Sequence, residues 1–206
     1  MNVDDEMYVV ILDPGHGGHD PGALGPSHTR EADITLQIAT MTARAIRDLG
    51  KRNIRVVMTR HGDYDRSVQE RIDIVNQVPN AFLLISLHCN AATPSAHGIE
   101  AWVHRDCAPL SRHAAHTLLY RICSVTNLKN RGLKECPGDP PWEDRSIGVL
   151  KHTTPPATLI ELAFISNARE EALLTSDVWQ AYVSRAIAAG VLDLVRSVQE
   201  GTADVV

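Results

Sequence analysis

A continuous apolar run at Tyr8–Leu12 (YVVIL) is the first strong structural signal in the sequence. A strand that is apolar at every position is buried on both faces, which is typical of parallel sheets covered by helices on both sides. Further along the chain, strand-like runs alternate with amphipathic helical patterns. This alternation predicts an α/β fold: a single-domain three-layer sandwich with a mixed, mostly parallel sheet flanked by helices.

Apolar spacing and helix-breaking residues set the expected limits of each element. From Ile34 to Leu49 apolar residues recur every three or four positions, which is typical of an amphipathic helix, and Gly50 ends it. By the same reasoning we expect strands at 8–12, 54–58, 82–87, 99–103 and 157–162. The expected helices are 32–49, 67–78, 109–125 and 178–198.

The stretch 127–148 fits neither pattern, because it is interrupted by glycine, aspartate and proline residues. It predicts a long loop, and a loop of this length in a compact domain is usually functional, so we expect it beside the active site. No internal repeat or linker divides the chain. We therefore expect one domain at residues 7–199, with flexible termini at 1–6 and 200–206.

Composition excludes several classes of protein. The 206 residues are 44% hydrophobic and 22% charged, which argues against disorder, and a net charge of −5 provides no basic field for nucleic acid or an anionic membrane. No apolar run approaches the ~20 residues that span a bilayer. The acidic N-terminus predicts synthesis in the cytoplasm without a signal peptide, and the four cysteines, which form no CxxC pair, are expected to be free thiols.

Four polar residues stand where α/β sheets gather their ligands, at strand ends and the start of a helix. His16 lies in the DPGHGG loop after the first strand, His88 ends LLISLH, Glu161 ends TLIE, and Glu31 begins the first helix. Two imidazoles and one carboxylate form a common catalytic zinc shell, and a second carboxylate can serve as the base. This set predicts metal-assisted hydrolysis of an amide.

Other interpretations of these motifs are weaker. The glycine-rich loop lacks both the GK[ST] of a P-loop and the GxGxxG fingerprint, which disfavours a nucleotide site. Cys89 is adjacent to His88 on a strand and so points to the opposite face, which disfavours a cysteine hydrolase. Arg60 and Asp63, in the sequence TRHGD, are interpreted as a structural ion pair. His97 and His152 lie near strand ends and are candidates for substrate contact.

Several dispersed motifs occur in an order that resembles the zinc-dependent N-acetylmuramoyl-L-alanine amidases, which remove stem peptides from peptidoglycan. The resemblance spans nearly the whole chain and rests on VVILDPGHGGHDPGALG, Glu31 with its helix, VVMTRHGD, residues 71–76, LLISLHCNA, HGIEAW and ATLIELAFISN. It implies that His16, Glu31 and His88 bind Zn²⁺ and that Glu161 is the catalytic carboxylate. The chain departs from the family pattern at Thr29-Arg30, which replaces a glycine-rich lead-in, and at Ala163, which replaces a glycine.

The resemblance implies zinc-dependent hydrolysis of the bond between N-acetylmuramic acid and L-alanine by a monomer that degrades the cell wall. A phage lysin, released by a holin-type membrane-permeabilising protein, is favoured over a bacterial enzyme. We expect substrate contacts from Asn90, His97, Glu100 and Trp142. Two alternatives stay open: a zinc peptidase or deacetylase acting on another substrate, and a catalytically silent peptidoglycan-binding module. Neither nucleic acid nor a membrane is an expected partner.

Overall fold

The computed structural model describes residues 7–49, 53–137 and 147–202. Within these ranges the strands are β1 (Tyr8–Pro14), β2 (Ile54–Met58), β3 (Ala81–Asn90), β4 (Ile99–His104), β5 (Asn130–Cys136) and β6 (Ala157–Phe164). The helices are α1 (Glu31–Asp48), α2 (Val68–Asn76), α3 (Pro109–Thr126), α4 (Gly148–His152), α5 (Ala168–Leu174) and α6 (Asp177–Gln199). Among the described helices, none has both the length and the apolar character needed to cross a membrane.

The described strands form one sheet in the order β2-β1-β3-β6-β4-β5. Strands β2, β1, β3 and β6 are parallel neighbours, β4 runs antiparallel to β6, and β5 runs parallel to β4. The predicted α/β fold with a mixed, mostly parallel sheet is therefore confirmed. The reversal at β4 brings the start of that strand to the same edge of the sheet as the carboxyl end of β6.

Helices cover the sheet unequally on its two faces. Strand residues alternate between the faces, so that Val10 and Leu12 join a large core with α1, α3 and α6, whereas Ile11 joins a smaller core with α2 and α4. Each fully buried aliphatic side chain contributes about 1.5–3 kcal/mol relative to an exposed one. His88 shares the alternation of Leu84 on β3, so the candidate site lies on the face of the sheet that α2 and α4 cover.

The predicted loop over 127–148 is wrong in its first half, because residues 130–136 form β5. Among the described strands β5 pairs only with β4, and it is half exposed, so its sequence NRGLKEC shows no apolar alternation that could reveal it. Residues 138–146, including Trp142, lie outside the described residues, as do the expected flexible termini apart from 200–202. The short helix α5, capped by the Asn167 side chain, was also not predicted.

Candidate functional site

Three neighbouring strands place three ionisable residues side by side. His88 on β3 is in register with Glu161 on β6, and Glu161 is in register with Glu100 on β4. Directly opposed residues project to the same face of a sheet, so these side chains form one row. The expectation that His88 and Glu161 follow the ends of their strands is wrong, because β3 continues to Asn90 and β6 to Phe164.

His16 and Glu31 meet this row at His88. One potential ligand atom from each of these three residues lies within 4.8 Å of the other two, and the described residues contain no second cluster of this kind. The Glu31 Oε1 atom is 3.2 Å from His16 Nε2 and 3.0 Å from His88 Nδ1. Two ligand atoms that each lie about 2.0–2.1 Å from one tetrahedral ion are about 3.3 Å apart, so these two separations fit a cation bound at that distance.

Glycines leave the space in which these side chains meet. A Cβ atom on Gly15 would collide with the imidazole ring of His88. At Gly22, which has φ +67°, a Cβ would lie 2.7 Å from both Glu31 Oε2 and His16 Cδ2. The glycines of the sequence motif are therefore required by the close approach of the backbone to the cluster.

Backbone amides and a second carboxylate orient the cluster. The buried Glu31 carboxylate, at the first position of α1, accepts hydrogen bonds from the amides of Ala23 and Cys89, both at 2.9 Å. The His16 Nδ1 atom is 2.7 Å from Asp20 Oδ2, which leaves Nε2 directed at Glu31. A carboxylate behind a ligating histidine fixes the ring and its tautomer. Sequence reasoning missed Asp20, although its position four residues after His16 in the same loop was a usable signal.

Electrostatics in the cluster favour a positive charge between the side chains. Burial raises the pKa of Glu31, but the hydrogen bonds and charges of His16 and His88 outweigh it and hold that pKa well below its ordinary value. Burial lowers the pKa of His16, but Glu31 and Asp20 together raise it to about 9. Without a bound cation, a proton on the His16 imidazole supplies the charge that the carboxylate requires. A metal ion could supply the same charge.

Glu161 stands apart from these hydrogen bonds. Its Oε2 atom is buried and has no hydrogen-bond partner among the described residues. Burial raises the pKa of Glu161 to about 7, since the charge of His88 only partly offsets burial and the charges of Glu31 and Glu100. A carboxyl group with a pKa near neutrality is suited to accept and return a proton. The orphaned oxygen is the strongest indication that a group absent from the polypeptide belongs here.

The carboxylate of Glu100 is buried and accepts three hydrogen bonds. It accepts hydrogen bonds from Asn90 Nδ2 at 2.8 Å, Trp102 Nε1 at 3.2 Å and Arg131 Nε at 2.7 Å. The Arg131 guanidinium also lies over the Phe164 ring, 4.8 Å from its centroid. Trp102 and Arg131 were missed by sequence reasoning, because only the pairing of β4 with β5 and β6 brings them here. Substrate contact by Asn90 and Glu100 stays a prediction.

The other expected contact residues are dispersed. His97 is exposed, and its ring Nδ1 lies 3.0 Å from the carbonyl oxygen of Ser95. It lines a cavity of about 720 Å³ together with residues of the loops that follow β3 and β6. His152 is exposed at the end of α4, where its carbonyl accepts a hydrogen bond from Asn76. Trp142 lies outside the described residues.

The expected ion pair between Arg60 and Asp63 is wrong. Arg60 is fully buried and donates hydrogen bonds to backbone carbonyls, whereas Asp63 accepts from the Arg30 side chain and the Gly18 amide. Cys89 packs in the larger core, as its position next to His88 predicts. The described cysteines are all free.

The chain is similar in sequence to known proteins. Residues 10–193 match the family model Amidase_3, described as N-acetylmuramoyl-L-alanine amidase. The chain is 31% identical to N-acetylmuramoyl-L-alanine amidase AmiC of Escherichia coli O6:H1, over 91% of this chain and 52% of that protein. It is 29% identical to an endolysin of Bacillus phage SPP1, over 90% of this chain and 65% of that one.

A solved structure shares the fold at similar identity. The N-acetylmuramoyl-L-alanine amidase from Clostridium difficile 630 superposes with a TM-score of 0.83 and 31% identity, covering 93% of this chain and 98% of that chain. The chain therefore corresponds to the whole of that solved chain, whereas it spans about half the length of AmiC.

Proposed function

Because the chain belongs to the N-acetylmuramoyl-L-alanine amidase family, we propose that it hydrolyses the amide bond between N-acetylmuramic acid and L-alanine in peptidoglycan. The observation that carries this proposal is the cluster of His16, Glu31 and His88 beside Glu161, whose buried Oε2 atom has no partner among the described residues. A binding module without catalytic activity requires no buried carboxyl group in this position, since binding a glycan needs no proton acceptor.

In this proposal His16, Glu31 and His88 hold Zn²⁺. The donor set of two imidazoles and one carboxylate suits this ion and leaves a coordination position open. When bound, Zn²⁺ supplies Lewis acidity, which lowers the pKa of water to about 7 and polarises the carbonyl under attack. Asp20 fixes the ring of His16, and the amides of Ala23 and Cys89 fix the carboxylate of Glu31.

Glu161 is the catalytic residue of the proposal. Its carboxylate accepts a proton from the attacking water and returns it to the departing alanine nitrogen. The carboxylate of Glu100, one strand away, adds negative charge that keeps Glu161 basic enough for this transfer. Substrate contacts from Asn90, His97, Glu100 and Trp142 complete the proposed site.

The proposal places this chemistry in residues 7–199, acting as a monomer on the cell wall. Similarity to an endolysin of Bacillus phage SPP1 supports a role in lysis, with release through a separate holin-type protein as part of that role. Peptidoglycan is the partner, and neither nucleic acid nor membrane insertion takes part.

The test is release of peptides with an N-terminal L-alanine from purified peptidoglycan. We would compare the zinc-loaded protein, the chelator-treated protein and the zinc-loaded variant Glu161→Gln, and identify the new amine by mass spectrometry. Release should require zinc and fall at least a hundredfold in the variant, because one proton acceptor contributes about 10²–10⁴-fold. Full turnover by Glu161→Gln with zinc bound would refute the assigned role. Cleavage elsewhere would indicate a peptidase or deacetylase, and no cleavage would indicate a binding module.

A further inference from the structure

The backbone that carries His16 adopts a conformation that few residues favour. His16 has φ 61°, and Gly17 and Gly18 after it also have positive φ values. For a residue with a Cβ atom this left-handed region is sparsely populated, and it persists only where the surroundings enforce it. We call residues 14–18 the histidine loop. The contacts of this loop explain what holds it.

Two buried arginines donate to three successive carbonyls of the histidine loop. Arg71 donates from Nη1 to the Pro14 carbonyl and from Nη2 to the His16 carbonyl, both at 2.7 Å. Arg60 donates from Nε to Pro14 at 3.0 Å and from Nη2 to Gly15 at 2.8 Å. A planar guanidinium presents its donors in a fixed geometry, so these bonds set the path of the backbone.

Arg71 is itself held in place from two sides. Its Nη1 atom is 2.8 Å from Asp13 Oδ1, and its Nε atom donates to the carbonyl of Arg66. Asp13 is buried at the end of β1 and also accepts hydrogen bonds from Thr59 and Ser86. Every donor group of the Arg71 fork is therefore directed by the sheet, by the start of α2 or by the histidine loop.

We infer that Arg71 is a positioning residue that holds His16 in the geometry needed for cation binding. The inference rests on the proposed function, because it takes His16 as a ligand. It goes beyond that function, since Arg71 touches neither a ligand atom nor the carboxylate of Glu161. The contact is with the backbone carbonyl of His16.

The charge of Arg71 and its hydrogen bonds predict opposite effects of its removal on cation affinity. Two guanidiniums, Arg60 and Arg71, lie beside the loop, and the carboxylate of Asp13 contacts the second of them. By electrostatics alone, removing the positive charge of Arg71 would tighten the binding of a cation nearby. If its role is to position the loop, the same removal weakens binding. The sign of the change separates the two explanations.

The experiment compares Arg71→Met with Val75→Ala in the full chain. Val75 is fully buried one turn further along α2, so its truncation lowers stability without a contact to the histidine loop. Urea unfolding of the metal-free proteins gives the stability of each variant. Zinc affinity is measured by competition with a chromophoric chelator, and the ligand geometry by the visible absorption of the Co²⁺-loaded protein.

We expect Arg71→Met to lose ten- to a hundredfold in zinc affinity and to alter the Co²⁺ spectrum, as changes behind a ligand usually do. Val75→Ala should change neither. Wild-type or tighter zinc binding by Arg71→Met would overturn the inference while leaving the proposed function intact. Absence of zinc binding by the wild type would instead overturn the proposed function and the inference together.

A second variant covers the case in which Arg71→Met does not fold. Arg71→Lys keeps the charge but replaces the fork by one ammonium group, which cannot bond Asp13, Pro14 and His16 with the same geometry. We expect it to fold and to lose zinc affinity to a smaller extent. Wild-type affinity and an unchanged Co²⁺ spectrum in Arg71→Lys would show that the fork is not needed, and would contradict the inference.

Discussion

Replacing Glu161 by glutamine should stabilise the metal-free protein at pH 8 but hardly at pH 5. The pKa of Glu161 is raised from 4.5 to about 7, mainly by burial. A carboxyl group with a raised pKa favours folding while it is protonated, and this advantage is lost as the pH rises from the unfolded to the folded pKa. Glutamine cannot ionise, so the variant avoids this loss.

The size of the effect follows from the gap between these two pKa values, which corresponds to about 3 kcal/mol at most. Because the residue is partly exposed although its Oε2 atom is buried, solvent screening reduces this ceiling. The quantity to compare is the free energy of unfolding of Glu161→Gln minus that of the wild type. We expect this difference to be about 1–2 kcal/mol larger at pH 8 than at pH 5.

The assay is urea unfolding of chelator-treated wild type and Glu161→Gln at the two pH values. Contributions from titrating groups that do not interact with Glu161 are common to both proteins and cancel in the difference. The control is Glu200→Gln, which replaces a carboxylate at the exposed end of α6, outside the cluster. An equal effect of Glu161→Gln at pH 5 and pH 8 would refute the reasoning that burial perturbs this carboxyl group.

Three further outcomes test other parts of the site. Asp20→Ala should weaken zinc binding about tenfold with little change in stability, because this exposed carboxylate bonds only His16 Nδ1 and the Gly22 amide among the described residues; chelator competition measures the affinity. Arg131→Met should lower the free energy of unfolding by about 1–3 kcal/mol in urea, since it leaves the buried Glu100 without its cation, and an unchanged midpoint would contradict this. Zinc at a hundredfold excess over its dissociation constant should stabilise the protein by about 2.7 kcal/mol, read as a rise in thermal midpoint.

Apolar patterning was sufficient to locate most of the fold. The limits 54–58 predicted for β2 are those observed, and the long amphipathic helices agree within one residue at each end. The helices each bury one face, so the spacing of their apolar residues reveals them. The edge strand β2 has no fully buried residue, but its run IRVVM is mostly apolar and β-branched, which is sufficient to locate it. The edge strand β5 buries little and follows no such pattern, which is why 130–136 was taken for part of a loop.

The motifs around His16, Glu31 and His88 identified three residues that the structure brings within 4.8 Å of one another. Their glycines are a local signal, because close approach of the backbone to Glu31 and His88 permits no side chain there. Apart from Asp20, which lies in the same loop as His16, the partners of these residues carry no such signal. The expected pairing of Arg60 with Asp63 failed because a nearby acid in the sequence says nothing about carbonyls that lie far along the chain.

The sequence by itself determined most of the strands and helices, which glycines accompany the histidines, and the family to which the chain belongs. Only the tertiary structure decided that His88, Glu161 and Glu100 stand in one row, that Asp20 supports His16, and that Arg71 holds the histidine loop. The physical reason is the distance in sequence between the contacting residues. A segment that buries one face carries a local apolar pattern, whereas the register between strands is set by contacts among residues distant in sequence.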